Sequence, residues 1–204
     1  MKLFLTSYFA QTFSLLPPFL SEPMQGKTVS FISTAADVET VDFYVEEARQ
    51  VWRAWGVEID EIDIAALRAE EIARKLQHNH YIYVSGGNTF YLLAQLRLKQ
   101  ADKVLAALIA SGKPYIGESA GSMILAGNLS YVREMDEVGK AEYDTQHGLG
   151  VLDVCPLPHD GEEPFAEITR IIKKQYAHLP LCPLTNSQAL LINGDKPVMN
   201  TQAV

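Results

Sequence analysis

Short apolar runs alternate with longer amphipathic stretches along the first 120 residues of the chain. Each run is four to six residues long, the length of a buried strand, and turn-forming or polar residues flank it. The runs predict strands over residues 3–6, 28–32, 57–62, 81–84 and 114–117. Between them, apolar positions recur at intervals of three and four, the spacing of one helix face. They predict helices over residues 41–55, 67–76, 88–98 and 101–111.

A helix between two such strands carries the chain across to a parallel neighbour. The alternation therefore predicts an α/β fold, a doubly wound and mostly parallel sheet with helices on both faces. After residue 120 the pattern is looser, and it ends in a small C-terminal β-hairpin that turns at residues 193–195. The other elements predicted there are helices over 120–126 and 164–177 and strands over 129–132, 181–184 and 189–192. We expect residues 1–204 to form a single domain.

Composition narrows the classes of function. A net charge of −8 disfavours nucleic acid as a partner, because phosphate binding needs clustered lysine and arginine. No stretch approaches the roughly 20 apolar residues that span a bilayer, so we expect no membrane association. Cys155 and Cys182 lack the spacing of a zinc site and fit buried free thiols in a reducing compartment. We therefore expect a cytoplasmic protein without a metal or other cofactor.

The segment Gly-Glu-Ser-Ala-Gly at 117–121 has the spacing of a nucleophile elbow. It follows a predicted buried strand and precedes a predicted helix, which is the context that this turn requires. Ser119 would then stand at a helix N-terminus, where free N–H groups favour a developing negative charge. The N–H of Ala120 is placed to bind an oxyanion. A small-residue turn that only packs a helix on a sheet is the structural alternative to a nucleophile at Ser119.

A second glycine turn, Ser-Gly-Gly-Asn-Thr at 85–89, follows the preceding predicted strand. Gly86 or Gly87 would supply the second N–H of an oxyanion hole, because their backbone can approach a ligand closely. Asn88 is suited to cap the next helix. Asn88 and Glu118 belong to the two turns, and we predict that both contact substrate.

A serine nucleophile needs a base, and the chain has five histidines. His159 follows a predicted strand and opens a polar loop, so we favour it as the base over His147, which lies in a glycine-rich loop. Spacing leaves open which acid orients the histidine. The candidates downstream of Ser119 are Glu134, Asp136, Glu137, Asp144, Asp153 and Asp160.

Together these segments resemble the peptidase E (aspartyl dipeptidase) family of serine peptidases. Gly-Gly-Asn-Thr at 86–89, Tyr-Ile-Gly-x-Ser-Ala-Gly at 115–121 and Pro-His at 158–159 carry the resemblance, in the family's order. It covers nearly the whole chain and implies a class I glutamine amidotransferase-like, flavodoxin-like sheet. It also implies Ser119 as nucleophile, His159 as base and the backbone of Gly87 and Ala120 as oxyanion hole. A small peptide would be the substrate, and no metal is implied.

Two positions depart from the family's pattern. Asn186 stands where family members carry a carboxylate, although an amide oxygen can still accept a hydrogen bond from the imidazole and fix its tautomer. Alternatively, Asp136 or Glu134 would orient the histidine, in the segment where the family has another aspartate. Pro164 stands where aspartate-specific peptidases have an arginine, so we do not expect strict Asp-X specificity.

The sequence therefore predicts a serine peptidase of dipeptidase type that hydrolyses small peptides. A non-peptidase serine hydrolase, an esterase or amidase, is the alternative within enzymes. A catalytically degenerate relative that binds a small molecule is the alternative outside them. Exposed apolar edges often make such sheets dimerise, so a homodimer is a further expectation, with no residue that identifies the interface.

Overall fold

The computed structural model describes residues 1–140, 146–194 and 196–202. The strands are β1 (Lys2–Thr6), β2 (Thr28–Ile32), β3 (Glu58–Glu61), β4 (Tyr81–Val84), β5 (Pro114–Glu118), β6 (Cys155–Leu157), β7 (Leu181–Pro183), β8 (Gln188–Asn193) and β9 (Lys196–Gln202). The α-helices are α1 (Phe9–Thr12), α2 (Leu16–Leu20), α3 (Phe43–Ala54), α4 (Ala69–His78), α5 (Thr89–Leu98), α6 (Ala101–Ala110), α7 (Ala120–Met123) and α8 (Ala166–Gln175). Short 3-10 helices cover Phe13–Leu15, Thr34–Val38, Ser130–Glu134 and Val138–Lys140.

One sheet contains seven strands in the spatial order β3-β2-β4-β5-β1-β8-β9. From β3 to β1 all neighbouring strands are parallel, whereas β8 and β9 join antiparallel. The predicted doubly wound, mostly parallel sheet is confirmed, and its five parallel strands lie within one residue of their predicted ends. Val84 of β4 is in register with Gly117 of β5, so the two glycine turns leave the sheet side by side.

Helices cover both faces of this sheet. Adjacent residues along a strand point to opposite faces, so neighbouring residues pack against different helices. Leu3 and Leu5 pack in the cluster that contains the buried side chains of α4, α5 and α6. Phe4, between them, packs in the cluster that contains Phe9 of α1 and Trp52 of α3. The predicted helices lie within about two residues of the observed ones, except that α7 ends at Met123 and is shorter than predicted.

The strand predicted over residues 129–132 is wrong, because this segment leads into the 3-10 helix Ser130–Glu134. Tyr131 and Val132 are fully buried there, in a third cluster that also contains Leu157 and Ile172. A segment of four residues, three of them apolar, fits a strand or a buried turn equally well, since so short a run has no decisive period.

β6 and β7 form a separate two-stranded parallel sheet, with Leu157 in register with Pro183. The sequence predicted strands here but not their pairing. Because the strands are parallel, the loops that follow them start side by side. This small sheet therefore places the loop after β6 beside the loop after β7.

The predicted C-terminal hairpin is confirmed by the antiparallel pairing of β8 with β9. Asp195, in its predicted turn, lies outside the described residues. Cys155 is buried and Cys182 half-buried, both as free thiols. Within the described ranges, no helix combines the length and the apolar character needed to cross a membrane.

Candidate active site

Ser119 occupies a strained turn between β5 and α7. Its φ and ψ are +47° and −105°, a conformation that residues with a side chain rarely adopt. The Ser119 N–H donates to the Thr6 carbonyl at 2.9 Å, and the Ser119 carbonyl accepts from Met123 N at 2.9 Å. Backbone bonds on both sides therefore hold the strained residue at the apex of the elbow.

The two glycines of the elbow are required by contact between backbones. A Cβ on Gly117 would lie 2.5 Å from the Gly121 carbonyl oxygen, and a Cβ on Gly121 would lie 2.2 Å from the Val84 carbonyl oxygen. Ser122 completes the turn, because its Oγ donates towards Thr6 O at 2.9 Å or Gly117 O at 2.7 Å. The predicted strand–turn–helix is therefore present at Ser119.

His159 lies against Ser119. Its Nε2 is 3.0 Å from Ser119 Oγ, and its Nδ1 is 2.7 Å from Asn186 Oδ1. An amide oxygen only accepts, so this pairing assigns the proton to Nδ1 and leaves Nε2 to accept from the serine hydroxyl. The imidazole also stacks on Phe165, with ring centroids 4.8 Å apart and planes 22° apart. This is the orientation that a general base for Ser119 requires.

Burial lowers the pKa of His159 below its ordinary value of 6.5, against the opposing effects of the Asn186 hydrogen bond and the Glu162 charge. The imidazole is therefore neutral at pH 7. A neutral imidazole is the form that can take a proton from Ser119.

The small sheet brings His159 and Asn186 together. His159 comes two residues after β6, and Asn186 comes three residues after β7. Asp160 N donates to Leu184 O at 2.9 Å and joins the two loops. Ser7, directly after β1, connects both loops to the main sheet. Its hydroxyl donates to Leu184 O at 2.9 Å and accepts from His159 N at 3.1 Å.

The acidic residues considered as orienting groups have other partners. Asp136 Oδ2 accepts the N–H of Thr89 at 2.8 Å, and Glu134 Oε1 accepts the hydroxyl of Tyr176 at 3.1 Å. Asp160 forms an ion pair with Lys173 at 2.5 Å. Asp153 and Glu137 are exposed, and Asp144 lies outside the described residues. The group at Nδ1 is the amide of Asn186, which spacing alone did not single out.

The alternative candidate base, His147, does not reach Ser119. His147 is exposed, and its carbonyl oxygen accepts from the guanidinium of Arg97. Its loop packs elsewhere, since a Cβ on the adjacent Gly148 would lie 2.2 Å from the carbonyl oxygen of Ala126.

The second glycine turn lies beside the serine. Gly87 has a φ of +126°, and a Cβ there would lie 2.2 Å from the Ala35 carbonyl oxygen, so only glycine fits. A Cβ on Gly86 would lie 3.3 Å from Ser119 Cβ. The backbone N–H of Gly86 faces the Glu118 carboxylate and favours its charge.

The two residues predicted to contact substrate serve the protein's own structure. Asn88 is 2% exposed, and it caps α5 because its Oδ1 accepts Tyr91 N at 2.9 Å. Its Nδ2 donates to Glu137 O at 3.2 Å, so its amide group is already paired. Glu118 lies on the wall of the site, but its two oxygens accept from Phe9 N at 2.8 Å and from the Tyr83 hydroxyl. Glu118 lines the cavity, whereas Asn88 is not among the lining residues.

Ser119, His159 and Asn186 line a cavity of about 510 Å³, a volume typical of small-ligand pockets. Five acidic side chains share its wall, namely Glu39, Glu118, Asp136, Glu137 and Glu163. Lys140 is the one lysine or arginine among the described lining residues, and its ammonium donates to Val38 O at 2.6 Å. Burial raises the pKa of Asp136 to about 6, which leaves it mostly ionised at neutral pH. The cavity therefore disfavours an anionic ligand.

Several residues at the site were not predicted from the sequence. Ser7 carries no motif, although its place directly after a predicted strand was a usable signal. Phe165 stacks on His159, and Tyr44 lies 3.4 Å from a Cβ built on Gly86. Over the part of the chain that the structure describes, no three His, Cys, Asp or Glu residues form a group that would hold a metal ion.

Solved structures share this fold. A protein of Listeria monocytogenes EGD-e with a 1.5 Å crystal structure, provisionally named Peptidase E, superposes with a TM-score of 0.94 at 41% identity. The match covers 100% of this chain and 98% of that one. A peptidase from an acI-B1 Actinobacterium superposes with a TM-score of 0.67 at 24% identity, a likeness of fold alone.

Sequence comparison points to the same group. An uncharacterized peptidase of Listeria monocytogenes is 43% identical over 97% of each chain, and one of Pasteurella multocida is 42% identical over 97% of this chain and 96% of its own. Peptidase E of Pasteurella multocida is 29% identical over 77% of this chain and 68% of its own length. The model of peptidase family S51 matches residues 3–199, and the chain therefore belongs to that family of peptidases.

Proposed function

We propose that the chain is a serine peptidase that hydrolyses small peptides, with Ser119 as nucleophile and His159 as general base. The observation that carries the proposal is the line of contacts from Asn186 Oδ1 through His159 to Ser119 Oγ, at 2.7 and 3.0 Å, on a cavity wall. Membership of peptidase family S51 supports the reaction class.

In the acylation step, Ser119 Oγ attacks the carbonyl carbon of the peptide while His159 Nε2 takes the hydroxyl proton. The carbonyl oxygen becomes an oxyanion, which the N–H groups of Gly87 and Ala120 bind. The carbonyl then re-forms and the C–N bond breaks, as His159 gives its proton to the leaving amine. The products are a free amine and an ester on Ser119.

In the deacylation step, His159 takes a proton from a water molecule, whose oxygen attacks the ester carbonyl. The second oxyanion collapses, the ester C–O bond breaks, and Ser119 Oγ regains its proton from His159. A carboxylic acid leaves, and the enzyme returns to its starting state. Asn186 holds the tautomer through both steps but carries no charge, so it stabilises the imidazolium less than a carboxylate would.

The charge of the cavity suggests which peptides bind. Glu163, Pro164 and Phe165 line the cavity, and Pro164 stands where the family resemblance would place an arginine able to pair with an aspartate side chain. Glu39, Asp136 and Glu137 add negative charge, and like charges repel an acidic residue. We infer that dipeptides with a neutral or basic first residue are better substrates than Asp-X dipeptides.

A fluorophosphonate probe and a dipeptide library varied at the first position test the proposal. We expect the wild-type protein to be labelled and to release amino acids, and Ser119→Ala to lose both activities. Ser111→Ala, on the exposed surface, is the matched control and should retain both. A wild-type protein that never labels contradicts the nucleophile assignment. Ligand-induced thermal stabilisation without turnover would favour the degenerate binding protein, and faster cleavage of esters than of any dipeptide would favour an esterase.

A further inference from the structure

Glu118, directly before the proposed nucleophile, receives hydrogen bonds from two separate segments and faces a third. Its side chain is 2% exposed and contributes to the cavity wall. Oε1 accepts the N–H of Phe9 at 2.8 Å, and Oε2 accepts the hydroxyl of Tyr83. The backbone N–H of Gly86 also faces the carboxylate and favours its charge. A buried carboxylate therefore connects α1, β4 and the second glycine turn to the last residue of β5.

The Gly86 backbone, which faces Glu118, connects this carboxylate to the proposed oxyanion hole. Gly86 immediately precedes Gly87, and its backbone lies between Ser119 and Tyr44, whose nearest atoms are 3.3 and 3.4 Å from a Cβ built on it. Gly87 in turn passes against the backbone of Ala35 and cannot shift towards it. The carboxylate therefore restrains the Ser85–Gly86 peptide, which directly precedes the peptide that carries the Gly87 N–H.

We propose that Glu118 is a positioning residue whose ionised form holds the oxyanion loop against the nucleophile turn, so that activity requires the Glu118 carboxylate together with neutral His159. This inference rests on the proposed serine peptidase function. It assigns Glu118 no contact with substrate.

The ionised form matters because all three neighbours donate. A carboxylate accepts without donating, so it serves Phe9, Tyr83 and Gly86 at once. A protonated Glu118 also donates a hydrogen bond, although its neighbours are themselves donors. Of these neighbours, the Tyr83 hydroxyl is the one that can rotate and accept that bond. The N–H groups of Phe9 and Gly86 then lose the attraction of a charge, and a hydrogen bond to a charged group is roughly twice as strong as a neutral one. The Gly87 N–H is consequently held less firmly.

The groups around Glu118 set its titration. Tyr83 donates to it from β4, Tyr44 and Glu47 approach from α3, and Tyr8 approaches from the segment before α1. Arg49 acts on Tyr83 from a greater distance along α3. Burial raises the pKa of Glu118 from 4.5 to about 7, the donor groups of Tyr83, Phe9 and Gly86 oppose this effect, and the charge of Glu47 adds to it. The pKa of His159 lies below 6.5, so the two required groups titrate in different ranges.

The rate of labelling by the fluorophosphonate probe, measured against pH, tests the inference without knowledge of the natural substrate. The wild-type rate should fall as the pH drops through about 7, where Glu118 becomes protonated. Glu118→Gln cannot ionise, so its acid limb should move below 6.5, where His159 takes up its proton. Its maximal labelling rate should fall about tenfold, with the half-saturating probe concentration changed less than about twofold.

Two further variants separate positioning from a general structural role. Tyr83→Phe removes a hydrogen bond that lowers the pKa of Glu118, so the acid limb should move upwards while the maximal rate at high pH is kept. Glu47→Gln removes a nearby negative charge. It should move the limb slightly downwards and retain the maximal rate.

A labelled wild type whose acid limb is unchanged in Glu118→Gln overturns the inference and leaves the proposed function standing. A wild type that never labels overturns both. If Glu118→Gln does not fold, Tyr83→Phe decides, because an acid limb that stays in place in that variant contradicts the role of Glu118.

Discussion

Ser119 and His159 approach each other from regions that are built differently. The turn around Ser119 is formed by adjacent elements, β5 and α7, and close contacts between backbones set its shape. The position of His159 depends on Asn186 and Ser7, which lie 27 and 152 residues away along the chain. In the serine turn, close backbone contacts add to the hydrogen bonds, whereas His159 has long-range side-chain hydrogen bonds and one stacking contact. We therefore expect substitutions near the serine to act on folding and those near the histidine to act on rate.

The largest effect should follow from Gly121→Ala. The added Cβ would lie 2.2 Å from the carbonyl oxygen of Val84, and that backbone belongs to a central strand that cannot yield. We expect the free energy of unfolding to fall by about 3 kcal/mol or more, with loss of labelling. Thermal unfolding followed by circular dichroism measures this change.

Gly139→Ala is the matched control, because a Cβ there meets nothing within 4 Å. It should leave stability and labelling unchanged. A Gly121→Ala protein as stable as the control would contradict steric control of the serine turn.

A smaller effect, on rate rather than on folding, should follow from Asn186→Ala. The imidazole then loses the acceptor that fixes its tautomer, and the maximal labelling rate should fall roughly 10- to 100-fold. The melting temperature should stay close to that of Asn128→Ala, a control in which an exposed asparagine side chain is lost. Equal labelling rates in Asn186→Ala and Asn128→Ala would contradict a role for Asn186 in orienting His159.

Asn186→Asp tests the same contact with His159 by strengthening it instead of removing it. A carboxylate at Nδ1 favours the imidazolium and raises the pKa of His159. The histidine then becomes protonated at a higher pH than in the wild type. Labelling in the Glu118→Gln background, where the acid limb reports His159 alone, measures the shift.

The smallest effect should follow from Ser7→Ala, which removes the hydroxyl that connects the loops of the small sheet to the main sheet. The His159 N–H loses its acceptor, whereas Leu184 O keeps its bond from Asp160 N. We expect a loss of about 1–2 kcal/mol in the free energy of unfolding and a labelling rate reduced only a few-fold. Ser111→Ala, which removes an exposed serine hydroxyl bonded to a carbonyl, should change neither quantity.

The five parallel strands and helices α3 to α6 were predictable because the apolar pattern there is long and regular, whereas the short helices α1 and α2 were not predicted. The segment 129–132 shows another limit, since a run of four residues, three of them apolar, did not distinguish a strand from a 3-10 turn. Asn88 shows another limit, because the same side chain suits a helix cap and a ligand contact. Its burial, known only from the fold, decides in favour of the cap.

By itself, the sequence determined the doubly wound sheet and the serine turn, because a buried strand, a Gly-x-Ser-x-Gly segment and a following helix are all local. The tertiary structure decided that Asn186, and not Asp136 or Glu134, stands at Nδ1 of His159. It also decided that Glu118 faces Phe9, Tyr83 and Gly86. These partners are far apart along the chain, and no local spacing encodes a contact that only the pairing of distant strands creates.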